Sequence, residues 1–277
     1  MTALAVALAV SSAGLHATWN VLLKAAGDPQ RLAARAVAVG TAALTLPLAV
    51  VWLAAGRPGL PAAAWGLALL SGLAELAYFS LLSSAYQRGE LSVVYPLARS
   101  TGPLVAVLGG LLLLGERLTP LQGLGVAALL AGIFALRRPT GAGPAVLPAL
   151  ATGLAIGAYT LLDRAGVRMG PVWLYAWVKF AFTASFLVAW ARVRPGPRLE
   201  APLPRVALVG CLILLAYGLV LVALSLAPVA VVAPARESAI VLVAAWGVWR
   251  LRERGGLALR VAGAAAVLAG VVLTAAG

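Results

Sequence analysis

Charge is scarce in this sequence. Only 10% of its 277 residues are Asp, Glu, Lys or Arg, and 63% are hydrophobic; soluble domains carry about 25% charged residues. Apolar runs near membrane-spanning length recur along the whole chain, which excludes a soluble globular protein. Cysteine is scarce: Cys211 alone excludes an internal disulfide and a Cys-based metal site. There is one histidine and no acidic cluster, so the grouped nucleophile, paired acids or metal ligands of an enzyme are missing. The chain also has no Gly-x-x-x-x-Gly-Lys loop, so ATP-driven pumping would need another subunit. No cofactor and no metal are expected. Acidic residues are outnumbered, and the net charge is +13. In a soluble protein that would suggest nucleic acid, but no basic patch with interleaved aromatics exists. The basic residues sit between apolar runs as membrane-flanking anchors, so the expected surroundings are a lipid bilayer and not nucleic acid.

Ten spans can be counted, at 2–23, 32–54, 62–85, 92–114, 119–136, 146–163, 171–191, 204–226, 229–249 and 257–275. The fold expected is all-α, a polytopic membrane protein of ten transmembrane helices. The breaks combine turn formers with charges, as in Gly27-Asp28-Pro29, Arg57-Pro58-Gly59, Arg137-Arg138-Pro139 and Arg194-Pro195-Gly196. Residues 1–23 are too long, too polar at His16 and Asn20, and too poor in basic residues at their start for a cleaved signal, so they are taken as the first span. Trp52, Trp65, Trp173, Trp190 and Trp249 fall near span ends as interfacial anchors.

The halves repeat. Gly14-Leu15 and Leu22-Leu23 match Gly153-Leu154 and Leu161-Leu162, and Ala77-Tyr78 matches Ala216-Tyr217. The run Gly125 to Gly132 matches Gly263 to Gly270, and Glu116-Arg117 has a counterpart in Glu253-Arg254. Val93-Val94-Tyr95-Pro96 with Arg99 and Ser100 returns as Val231-Val232-Ala233-Pro234 with Arg236, Glu237 and Ser238. Residues 1–138 and 139–277 are therefore expected to be two five-helix repeats. Five is odd, so the second copy inserts upside down, an arrangement associated with alternating access around a site between the repeats. Lys24, Arg31, Arg35, Arg88, Arg137, Arg138, Arg192, Arg194, Arg198, Arg205, Arg250, Arg252, Arg254 and Arg260 lie on one side, and only Arg57, Arg117, Arg164 and Arg168 on the other. The positive-inside rule makes the first side cytoplasmic and puts both termini outside the cytoplasm.

These residues resemble a known family. The five-plus-five repeat, Tyr95-Pro96-Leu97-Ala98-Arg99 in span four and Leu114-Gly115-Glu116-Arg117-Leu118 at its close are similar to the EamA-type drug/metabolite transporter superfamily. His16-Ala17-Thr18-Trp19-Asn20, followed by Lys24, resembles a subset with a His-x-x-Trp-Asn first span. Leu251-Arg252-Glu253-Arg254 departs from the pattern, lacking the glycine before the glutamate. The resemblance covers the whole chain and implies secondary transport, often export, of small metabolites such as amino acids or their relatives. Members are usually described with cytoplasmic termini; the loop charges here place them outside.

A charged side chain at mid-bilayer costs about 2.5–3.5 kcal/mol on insertion scales, yet Glu75, Arg99, Lys179, Arg236 and Glu237 all fall inside apolar spans. They are expected to face a wet cavity or each other. Arg99 and Tyr95 share a helical face; Pro96 should bend or break that helix, and Gly102 and Pro103 should loosen its next turn. The rival use for Arg99 is to snorkel to the near interface. Glu237 is a candidate partner for Arg99, and Lys179 for Glu75; either pair would serve packing alone if it is only structural. His16, Trp19 and Asn20 either line the cavity, with His16 able to carry a proton, or hydrogen-bond between helices. Tyr78, beside Glu75, and its echo Tyr217 complete the candidate substrate-binding set. The small-residue faces Gly125, Ala128, Gly132 and Gly263, Ala266, Gly270 suit tight packing within the chain or in a homodimer. The function expected is secondary transport of a small molecule, an amino acid or other carboxylate, with protons as candidate coupling ion. A membrane-embedded enzyme and a non-transporting scaffold subunit are the alternatives.

Overall fold

The computed structural model describes residues 1–24, 28–88, 91–136, 143–194, 201–239, 241 and 257–277. Among them are ten α-helices and no strand: α1 Thr2–Lys24, α2 Pro29–Ala54, α3 Ala62–Arg88, α4 Leu91–Leu112, α5 Pro120–Leu136, α6 Val146–Gly166, α7 Val172–Val193, α8 Leu203–Leu226, α9 Val229–Arg236 and α10 Leu257–Ala276. A 3₁₀ turn, Glu237–Ala239, follows α9. Helices α1, α2, α3, α6, α7 and α8 are long and apolar enough to cross a membrane, while α4, α5 and α10 hold shorter apolar stretches. The chain is an all-α polytopic membrane protein.

Local chemistry sets several starts. Asp28 caps α2 by accepting from the Arg31 amide at 3.0 Å, with Pro29 at the first helical position. Thr119 and Gln122 form a reciprocal capping box at α5: each side chain accepts from the other's amide at 3.1 Å. Helix α4 does not break. It runs unbroken through Pro96 and Pro103, and Pro103 only leaves the Arg99 carbonyl without its usual amide donor. The interruption falls in the second copy, where α9 gives way to the 3₁₀ turn after Arg236.

Each half finds its neighbours in the other half. Helix α3 packs on α6 and α7, α1 on α8 and α9, α2 on α7 and α8, α4 on α6 and α9, and α5 on α10. Exchanging every helix for the one five places away returns the same set of pairs: α3 with α6 becomes α8 with α1, and α2 with α8 becomes α7 with α3. Two of the pairs that this exchange maps onto themselves run antiparallel. Along α5 and α10, Gly125 meets Thr274 and Gly132 meets Gly263. Along α4 and α9, Arg99 meets Glu237 while Gly110 meets Val229. In both pairs the two helices run in opposite directions.

The glycine faces serve packing inside the chain. A Cβ on Gly132 would lie 2.6 Å from the Gly263 carbonyl oxygen, and one on Gly270 would lie 2.7 Å from that of Gly125. Only glycine allows these backbones to approach so closely. The two ends differ in charge. Arg31, Arg35 and Arg205 donate to the carbonyls of Arg194, Ala201 and Leu22 at one end. Both termini lie at the opposite end: α1 begins there, and Gly277 packs on Thr119 and Gln122. Arg164, counted among the loop charges from sequence, is buried, because α6 continues to Gly166.

Candidate functional site

Two charged clusters meet around Tyr217 in α8. In the first, Lys179 of α7 is fully buried and its Nζ lies 2.5 Å from Glu75 Oε2 of α3. Thr183, one helical turn on, donates to the same oxygen at 2.8 Å. The ammonium also sits over the Tyr217 ring at 4.1 Å and near those of Phe180 and Tyr159 at 5.1 and 5.8 Å. Negative ring faces stabilise a desolvated cation by about 2 kcal/mol at best, so the carboxylate does most of the neutralising. Tyr78 packs edge-on to Tyr159 at 6.2 Å, which packs on Tyr217 at 5.7 Å.

The second cluster belongs to the repeated Val-Val-x-Pro stretches. Arg99 of α4 pairs with Glu237 at 2.7 Å, both side chains under 10% exposed. Arg236, the residue before, points elsewhere: its guanidinium lies 5.1 Å from the Tyr217 ring centre. Adjacent residues on one turn diverge by about 100°, which gives Glu237 to α4 and Arg236 to α8. A crevice with room for about one water-sized molecule opens here, lined by Gly102, Ile156, Thr160, Val220, Arg236 and Glu237 among others. Arg236 makes no ion pair among the described residues, and its buried Nε has no hydrogen-bond partner. Among the described residues this is a buried cation without a carboxylate ion-pair partner on a crevice, next to two cations already matched by carboxylates.

The remaining candidates fall differently. His16 and Trp19 in α1 are buried and pack edge-to-face at 4.5 Å; neither is among the residues lining the crevice. Asn20 and Tyr95 lie within α1 and α4, and their side chains are outside the described residues, as are Glu253-Arg254 and Trp249.

Two polar centres escaped the sequence reading. Asp163, fully buried, accepts from Tyr175 at 2.9 Å and from Tyr217 at 2.5 Å. Glu116 reaches across from the α4–α5 connection to the start of α9, where Pro228 offers no side-chain cap. Its carboxylate accepts from the Val229 and Ala230 amides at 2.9 and 3.2 Å and from Arg164 Nε at 2.7 Å, and Arg164 donates onward to the Leu224 carbonyl. A carboxylate on exposed helix-start amides is favourable electrostatics. The available signals were an acid near the end of an apolar span and the Gly-Glu-Arg turn itself.

Comparison with known proteins agrees with this architecture. Residues 3–138 match the family described as EamA-like transporter family, so the first half carries a domain of that kind. No curated protein matches the chain. Twenty-one solved chains match it. One, described only as "Crystal structure of protein", is 21% identical with a TM-score of 0.72 over 98% of this chain and 95% of its own. At that identity the likeness establishes the fold, and it extends over both halves.

Proposed function

We propose that the chain as a whole is a member of the EamA-like transporter family, with residues 139–277 as a second, inverted EamA-like repeat. It is a secondary transporter that moves a small carboxylate-bearing metabolite, such as an amino acid, across the cell membrane by alternating access. Export is the direction that the resemblance implies. The observation that carries this reading is Arg236: buried, without a carboxylate partner among the described residues, and on a crevice where α4, α6, α8 and α9 meet. A substrate carboxylate supplies the missing charge through charge-assisted hydrogen bonds. Arg99, held by Glu237, positions the crevice wall instead. The sparse-charge end carries both termini, and the positive-inside rule then favours termini outside the cytoplasm.

The test is thermal stabilisation of the purified protein in detergent by a panel of amino acids, each beside the amine that lacks its carboxylate. A ligand at 100 times its dissociation constant stabilises by about 2.7 kcal/mol. One or more carboxylates should raise the melting temperature, their amines should not, and Arg236→Met should abolish the shift. Stabilisation that survives in Arg236→Met, or that the amines share, removes Arg236 from the substrate site.

A further inference from the structure

We infer that Asp163 is a proton-binding site, linked to the anion position at Arg236 through the ring of Tyr217. The link, though not the proton site itself, rests on the function proposed above. Asp163 is fully buried and makes no ion pair among the described residues. An unneutralised carboxylate in such a place is costly, and two phenol donors relieve that only in part.

None of the described groups around it forms an ion pair with it, and Ser71 of α3 sets a hydroxyl beside it. From α7 come Tyr175, its donor, and Lys179, paired with Glu75 of α3. From α8 comes Tyr217, the second donor, and from α9 Arg236, which lies against the other part of the same phenol. On α6 itself, Arg164 is turned away to Glu116, and Tyr159 packs on Tyr217. The cheapest neutralising partner left is a proton from water.

The step balances simply. A proton adds to a carboxylate oxygen, giving a neutral acid with one O–H donor. When the proton sits on Oδ2 and points at the Tyr217 hydroxyl, 2.5 Å away, the acid becomes the donor in that contact, and the hydroxyl accepts and turns its own hydrogen away. The ring that carries this hydroxyl is the surface on which both Lys179 and Arg236 rest, so its electrostatics change with the hydroxyl's role. Loss of the proton restores the Tyr217 bond to Oδ2.

Infrared difference spectroscopy of the full chain in lipid, titrated from acidic to neutral pH, tests this without any substrate. The expected result is a titrating carboxylic-acid C=O band that Asp163→Asn abolishes and Glu116→Gln, outside this cluster, retains. Tyr217→Phe and Tyr175→Phe keep the carboxyl and should each shift the band frequency, so the inference stays testable if Asp163→Asn does not fold. A wild-type protein with no titrating band, a band that survives in Asp163→Asn, or tyrosine variants that leave it unmoved overturns the site. Arg236→Met should displace the midpoint of the band; an unchanged midpoint overturns the link. Failure of the amino-acid panel would leave the infrared result standing, so the two readings fall separately.

Discussion

Replacing Glu116 tests how the two halves are fastened. Its side chain is 4% exposed and accepts three hydrogen bonds, from Arg164 and from the Val229 and Ala230 amides. A hydrogen bond to a charged group contributes about 1.5–3 kcal/mol, but adding three such values overshoots, because Arg164 keeps its bond to the Leu224 carbonyl. Removing one partner of a buried ion pair costs about 3–5 kcal/mol, and that is the expected loss for Glu116→Ala. Glu116→Gln keeps a carbonyl oxygen for Arg164 and Val229 but sets an amide donor against the Ala230 N–H, so about 1–3 kcal/mol should be lost. Arg168→Ala, an exposed arginine near the end of α6, should change stability by no more than about 0.5 kcal/mol. Equilibrium unfolding in mixed micelles containing dodecyl sulfate measures all three. Because α9 is only eight residues long and ends at Arg236, ligand stabilisation should weaken with the cap. If Glu116→Ala behaves like Arg168→Ala, the carboxylate does not fasten α9 and the argument fails.

Three further outcomes follow from the packing. Lys179→Met strands Glu75 with Thr183 alone and should cost about 3–5 kcal/mol, whereas Glu75→Gln with Lys179→Met should recover much of that; additive losses in the same unfolding assay would contradict the pairing. Gly132→Ala forces a methyl against the Gly263 carbonyl and should cost about 1–3 kcal/mol, while Gly123→Ala, with open space around it, should be tolerated. Cys211, exposed on the outer face of α8, should react in membranes with an apolar maleimide and resist a sulfonated one; equal labelling by both would place it in water instead of lipid.

Much of the interior was legible because charge inside an apolar run is rare enough to demand a partner. That logic pointed to Glu75 with Lys179 and to Arg99 with Glu237, and the structure pairs both. The glycine faces of α5 and α10 were legible for a similar reason: only close backbone contact explains small residues at that spacing. Asp163, Arg164 and Glu116 were not legible. They lie at the ends of spans, where a charged residue ordinarily meets water, and what buries them is the cover of neighbouring helices from both halves. Position along one span carries no record of that cover. Nor does the presence of proline decide whether a helix breaks: α4 contains two and continues, and α9 contains one and stops.

The dependence of each half on the other has a consequence for synthesis. Lys179 follows Glu75 by 104 residues, and at roughly 5–20 residues per second that delay lasts roughly 5–20 s. Arg99 waits longer still for Glu237. During that interval the leading helices are in the bilayer with charges whose partners have not been made, each carrying a penalty of about 2.5–3.5 kcal/mol. The nascent first half is therefore a client for whatever shelters unfinished helices during insertion, and a ribosome stalled between the halves would leave a product that the membrane cannot complete by itself.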